Sequence, residues 1–138
     1  MKDCVLCSIP QKEKYRTIKE NETAFSCVNI EPLSESHVMI LPKEHKTNLK
    51  DLTEKEAKDI LILIEEVSQI LEKKFKTKGS IVVKNNGKHG TQEHIHFHII
   101  ATKNGLREII APYLNVPFRK KLDVNELNKL AAKIKENF

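Results

Sequence analysis

The 138-residue chain has no tryptophan, three arginines (Arg16, Arg107, Arg119) and three cysteines. Each scarcity narrows what the protein can be. Without tryptophan it lacks the largest side chain on which nucleobases stack, and its many lysines are scattered over helix faces rather than gathered into a basic arm. The formal charge of +5 and the pI near 9.1 are compatible with a nucleic acid or an anionic small substrate. The scatter nevertheless reads as solvated surface, with no clear nucleic-acid binding. Three cysteines do not make a disulfide framework. No apolar run approaches the roughly 20 residues of a membrane span, so no membrane partner is expected. The opening Met1-Lys2-Asp3-Cys4 lacks the apolar core of a signal peptide, and a cytoplasmic location is the expectation. There is no internal repeat, low-complexity tract or linker. A hydrophobic share of 39% and a charged share of 31% suit one globular domain over residues 1–138, long enough to bury a core without staples.

Against that background one stretch stands out, Glu93-His94-Ile95-His96-Phe97-His98-Ile99-Ile100. Histidines at every second position alternate with apolar residues, a period of two that reads as a strand. The three imidazoles then share one face, spaced roughly 6.5–7 Å apart, with Ile95, Phe97 and Ile99 on the other.

Elsewhere the pattern predicts an antiparallel meander followed by a long helix. Tyr15–Glu20 and Thr23–Val28 read as strands around a turn at Glu20-Asn21-Glu22, and His37–Leu41 as a third, largely buried strand. Pro10 reads as a breaker and Pro32 as a stop to strand pairing. Thr53 and Glu56 form a capping box that starts a helix. Its apolar stripe is Ala57, Ile60, Leu61, Ile64, Val67, Leu71 and Phe75, widened by Ile62 and Leu63, and Gly79 is expected to end it. Lys73, Lys74, Lys76 and Lys78 suit the negative end of its dipole. Ser80–Lys84 reads as a strand and Asn85-Asn86-Gly87 as a turn. Residues 88–92 then lead into the histidine strand as its antiparallel partner. Asp123 caps a last helix with Leu127, Leu130, Ala131, Ile134 and Phe138 on one stripe. The fold class is α+β, with a sheet of about five antiparallel strands, one long crossing helix and a C-terminal helix.

The chemistry admits more than one reading from the residues alone. Two histidines at i and i+2 can ligate a metal. A neutral imidazole can equally act as a nucleophile while its neighbours bind anionic oxygens. Glu93 has the wrong strand parity to complete a catalytic metal site, which disfavours a metal-dependent hydrolase built on the triad. Cys4-Val5-Leu6-Cys7 can pinch a tetrahedral zinc if two further ligands lie elsewhere, and it lacks the strand–helix context of a redox pair. Cys27 reads as a core residue.

These residues resemble the histidine triad proteins, nucleotide hydrolases and transferases whose signature is His-x-His-x-His followed by apolar residues. The resemblance extends to Phe25-Ser26-Cys27-Val28-Asn29 with Pro32, to Ser36-His37-Val38-Met39-Ile40-Leu41-Pro42-Lys43, and to Asn85-Asn86-Gly87. It covers roughly residues 4–100. It implies that His96 is the nucleophile on the α-phosphorus, that His98 contacts phosphate, that His37 supports the histidine cluster and that Asn29 binds ribose. Asn85, Thr91 and Gln92 would lie at the phosphate loop. A structural zinc would be held by Cys4, Cys7, His45 and His94, with no organic cofactor, and the chain would form a homodimer.

The implied function is hydrolysis or nucleotidyl transfer at the α-phosphate of dinucleoside polyphosphates or nucleoside phosphoramidates, through a nucleotidyl-histidine. The alternative is a zinc-stabilised nucleotide-binding regulatory module with little turnover. The chain departs from the family pattern in places. Gly90-Thr91-Gln92-Glu93-His94 replaces the usual Gly-Gln-Ser/Thr-Val-x-His in a loop about two residues shorter. Ser36 stands where glycine is commoner, and Ala101-Thr102-Lys103 replaces a Pro-Arg ending. The last third carries no family motif.

Overall fold

The computed structural model describes residues 4–87, 92–114 and 121–136. They fall into two compact units, Met1–Gly105 and Leu106–Phe138. The first contains a short helix α1 (Ile9–Lys12), strands β1 (Thr17–Glu20), β2 (Ala24–Val28) and β3 (Val38–Pro42), the long helix α2 (Glu54–Phe75), and strands β4 (Gly79–Val83) and β5 (Phe97–Thr102). The second contains helices α3 (Leu106–Leu114) and α4 (Val124–Lys135).

All pairings in the five-stranded sheet are antiparallel, in the order β1-β2-β3-β5-β4. The first three strands form the expected meander. Helix α2 then carries the chain across the sheet, so that β4 takes the far edge and β5 returns between β4 and β3.

Alternation in β2 and β3 explains how both faces of the sheet become core. Ala24, Val38, Ile40, Ile99 and Ala101 lie on one side and pack with Ile60, Leu63, Val67 and Leu71 of α2. Phe25, Cys27, Met39 and Leu41 lie on the other and are covered by Leu6 and Ile9 of the N-terminal segment. Strands covered on both faces have no polar side, which is why β3 is one apolar run. Each large side chain buried this way contributes about 1.5–3 kcal/mol.

Helix α2 begins as its sequence predicts. Thr53 Oγ1 accepts from the Glu56 N–H at 3.1 Å, and the Glu56 carboxylate accepts from the Thr53 N–H at 2.8 Å. The stripe is narrower than the pattern predicted: Leu61 is 66% exposed and Ile62 42% exposed. The helix also stops earlier. Lys76, at φ 55°, takes the left-handed position at the C-terminus, and Gly79 instead opens β4 opposite Thr102.

Further differences concern boundaries. Lys14–Arg16 form a 3-10 turn before β1, and Pro10 lies in the first turn of α1 rather than breaking structure, because its missing N–H has no helical partner there. The histidine strand begins only at Phe97, so His94 and His96 precede it. In the second unit, Asp123 and Glu126 form a capping box at the start of α4. Phe138, expected on its stripe, lies outside the described residues.

Candidate functional site

The site is built where β3 and β5 run side by side. Met39 is paired with His98, which puts His98 on the sheet face turned away from α2, and alternation puts His37 on that face too. The N-terminal segment covers only part of this face, over Phe25, Cys27, Met39 and Leu41.

The hydrogen bonds around the imidazoles assign each ring its proton. The Leu33 N–H donates to His37 Nδ1 at 3.0 Å, so that nitrogen holds a lone pair and the proton sits on Nε2. His37 Nε2 lies 2.8 Å from His98 Nδ1, and its N–H is the donor. His98 therefore carries its own proton on Nε2. For His96, Nδ1 faces the His94 carbonyl at 2.9 Å. A carbonyl only accepts, so Nδ1 is protonated and Nε2 keeps a free lone pair. The His96 and His98 rings meet edge to face with centroids 5.0 Å apart. A nucleophilic nitrogen and a hydrogen-bond donor thus stand side by side. Burial, with the neighbouring His96 and His37, holds His98 down to about 4, and burial also lowers His37. His98 therefore remains neutral well below neutral pH, and the shift of His37 runs in the same direction.

His94 faces elsewhere. It is fully buried, and its Nε2–H donates to the Pro42 carbonyl at 2.9 Å, leaving the Nδ1 lone pair free. That nitrogen lies 3.2 Å from Cys7 Sγ and 3.5 Å from Cys4 Sγ, while His45 Nδ1 lies 3.3 Å from Cys7 Sγ. The four ligand atoms of Cys4, Cys7, His45 and His94 all lie within 4.8 Å of one another. A tetrahedral ion with bonds of 2.0–2.3 Å needs ligand atoms about 3.3–3.8 Å apart. Two sulfurs, two imidazole nitrogens and a tautomer already set for coordination fit such an ion. Desolvation, with Cys4 close by, pushes the Cys7 thiol up to about 11, so a cation entering the cluster displaces protons. Among the described residues this is the one group of ligating side chains that converges in this way. The triad is therefore divided, with His94 in the sulfur cluster and His96 and His98 in the row with His37. The single-face arrangement read from strict alternation does not hold, because residues 92–96 bend before the strand begins.

The same bend corrects the parity argument for Glu93. It lines, with Thr47, Lys84, Asn85, Gln92 and His96, an open cleft of about 360 Å³. Asn85 and Gln92 line the same cleft as His96, while Thr91 lies outside the described residues. Asn29 stands beside His37, its Nδ2 3.5 Å from His37 Nε2 and its Oδ1 accepting from the Glu31 N–H at 2.8 Å. Sequence reasoning missed Thr47 and Lys84, which carry no motif, and the Leu33 N–H, a backbone group no sequence pattern marks.

An antiparallel α+β sheet with a row of hydrogen-bonded histidines along β3 and β5, beside a two-cysteine, two-histidine group, defines the class. The chain belongs to the HIT domain family, whose model matches residues 11–105. It is 30% identical over 142 aligned positions to an adenosine 5'-monophosphoramidase of Candida albicans, covering 96% of this chain and 90% of that one. It is 34% identical to a bis(5'-adenosyl)-triphosphatase of Dictyostelium discoideum over 59% of this chain and 56% of that one. Among solved structures, a histidine triad nucleotide-binding protein from Candida albicans superposes with a TM-score of 0.70 at 28% identity, covering 98% and 96% of the two chains.

Proposed function

We propose that this protein is a nucleotide hydrolase that works at the α-phosphate of nucleoside phosphoramidates or dinucleoside polyphosphates, with His96 as the nucleophile. The observation that carries the reading is the anchored ring of His96. With Nδ1–H held by the His94 carbonyl at 2.9 Å, the Nε2 lone pair is the free end of a ring that cannot turn away. Nε2 attacks the α-phosphorus, and the phosphorus–nitrogen bond forms as the bond to the leaving group breaks. Water then releases the nucleoside monophosphate and frees His96. His98, protonated on Nε2 through the Leu33–His37–His98 chain, donates to a phosphoryl oxygen and stabilises the developing charge. Asn29 binds ribose, His37 holds His98, and Asn85, Thr91 and Gln92 serve the phosphate groups. The names of the phosphoramidase and triphosphatase relatives support this substrate class.

The ion in Cys4, Cys7, His45 and His94 is read as zinc, with a structural role. Four protein ligands close a tetrahedral site and leave no position for water or substrate. Its contribution is to fix the segment that bears His96. Ligation needs both thiols reduced, and all three cysteines are free, which supports a cytoplasmic setting. No helix among the described residues is long and apolar enough to cross a membrane.

A homodimer is proposed through β4 and the flank of α2 beside it. β4 is an edge strand with Val82 42% exposed. Glu72 accepts from Ser80 Oγ of β4 at 3.0 Å, and Leu61, three helical turns earlier on that flank, is 66% exposed. Exposed apolar groups beside an unpaired edge are a ready template for pairing with a second copy.

The deciding experiment is an acid-and-base quench with a substrate labelled at the α-phosphate. Label on the protein that is stable in base, labile in acid and lost in His96→Ala supports the covalent reading. If no label is trapped and a chelator stops turnover without unfolding the protein, a metal-dependent hydrolase replaces it.

A further inference from the structure

We propose that Ser36 is a positioning residue: its side chain completes the β3–β5 ladder and so holds His37 in register against His98. This rests on the histidine-based hydrolase reading above, and deepens it.

Backbone pairing between β3 and β5 covers Val38 with Ile99, Met39 with His98 and Ile40 with Phe97. Continued by two residues, that register sets position 36 opposite Ala101. Here β3 has not yet begun, and the backbone is still in the turn where the His37 N–H donates to the Ser34 carbonyl at 3.1 Å. The side chain takes over. Ser36 Oγ accepts from the Ala101 N–H at 3.0 Å and donates to the Ala101 carbonyl at 3.2 Å, the two bonds a backbone partner would have exchanged with that residue. Ser34 Oγ lies 3.0 Å from Ser36 Oγ, which fills the remaining lone pair of the hydroxyl. Ser36 is 3% exposed and Ala101 9% exposed, so no bulk water substitutes for these bonds.

The clasp sits one residue before His37 and three after His98, at the end of the ladder where two strands are most free to splay. The 2.8 Å contact of His37 Nε2 with His98 Nδ1 straddles the first backbone pair, Val38 with Ile99, with His37 on the clasp side of that pair and His98 just beyond it. Splaying the strands lengthens that contact and frees His98 to hold its proton on either nitrogen. Only one of those tautomers presents Nε2–H beside His96. A glycine at position 36 has no atom that can make either bond.

The test compares wild type, Ser36→Ala and Ser36→Thr as full chains. Imidazole nitrogen spectra, recorded without substrate, report the His98 tautomer, and turnover of adenosine 5'-phosphoramidate reports kcat and KM. In Ser36→Ala, His98 is expected to show mixed tautomers and kcat to fall about tenfold, with KM within about twofold and Ser36→Thr recovering both. Should Ser36→Ala not fold, Ser36→Cys, whose thiol is a weak hydrogen-bonding group of similar size, takes its place. An unchanged His98 tautomer in a folded variant overturns the proposal whatever the activity. A wild-type chain with the expected tautomer but no turnover overturns the hydrolase reading alone.

Discussion

The carbonyl of His94 accepts a hydrogen bond from Nδ1–H of His96 at 2.9 Å, while the ring of the same His94 lies 3.2 Å from Cys7 Sγ. One residue therefore joins the cysteine–histidine cluster to the proposed nucleophile, through its side chain on one side and its backbone on the other. Purified protein is expected to hold about one zinc per chain. Replacing Cys4 and Cys7 together by serine should release the zinc, lower the melting temperature and weaken catalysis by loosening the segment that carries His96. Metal analysis checks the assignment, and full zinc in the double variant would refute it.

The donor chain from the Leu33 N–H through His37 to His98 makes a kinetic prediction. His37→Ala leaves His98 Nδ1 without its donor, so the ring loses its fixed tautomer. A loss of about 10²-fold in kcat is expected, the scale for one misplaced donor at a reacting phosphoryl oxygen. Steady-state kinetics on a phosphoramidate would show it, and near-normal kcat would remove His37 from the reaction.

Acid should destabilise the fold through the same rings. In the unfolded chain His98 titrates near its ordinary 6.5, whereas the fold lowers it to about 4 through burial and the neighbouring imidazoles. Between those values the unfolded state binds the proton and the native state does not. Stability is therefore whole above about pH 6.5 and is lost as pH falls through that window. Denaturant titrations of zinc-saturated protein at several pH values should show a shallower acid dependence in His98→Asn than in wild type. Equal slopes would show that the burial of His98 is not what acid reverses.

Helix α2 ends on Lys76 with φ 55°, a backbone conformation that disfavours any residue with a Cβ. Lys76→Gly removes that steric cost, although glycine gains entropy in the unfolded chain. The expected result is a net gain of about 0.5–1 kcal/mol in unfolding free energy, with activity unchanged. Loss of stability on this substitution would mean that the lysine side chain contributes more than its backbone strain.

For the dimer, the wild-type chain should sediment at twice its own mass. Leu61→Glu combined with Val82→Lys, both at exposed positions beside the sheet edge, should yield a folded monomer. A wild-type monomer at micromolar concentration would remove the assembly.

By itself the amino-acid sequence determined whatever depends on neighbours along the chain. The Thr53–Glu56 box starts α2 because both partners lie within one turn. Asp123 and Glu126 do the same for α4. The alternation of Phe25, Cys27, Met39 and Leu41 against Ala24, Val38 and Ile40 divides two strands between two cores because a strand has period two. The convergence of Cys4, Cys7, His45 and His94 was legible only through family resemblance, since no local rule joins residues 90 positions apart. Tertiary structure alone decided how the triad is divided. Alternation puts His94, His96 and His98 on one face, but the Pro42 carbonyl and the cysteine sulfurs draw His94 into a buried cluster before the strand begins. The protonation of each ring likewise depends on backbone groups remote in sequence, the Leu33 N–H among them, that folding alone brings within reach. A pattern of residue types can place an imidazole, but which of its nitrogens is free is set by what the folded chain puts against the other.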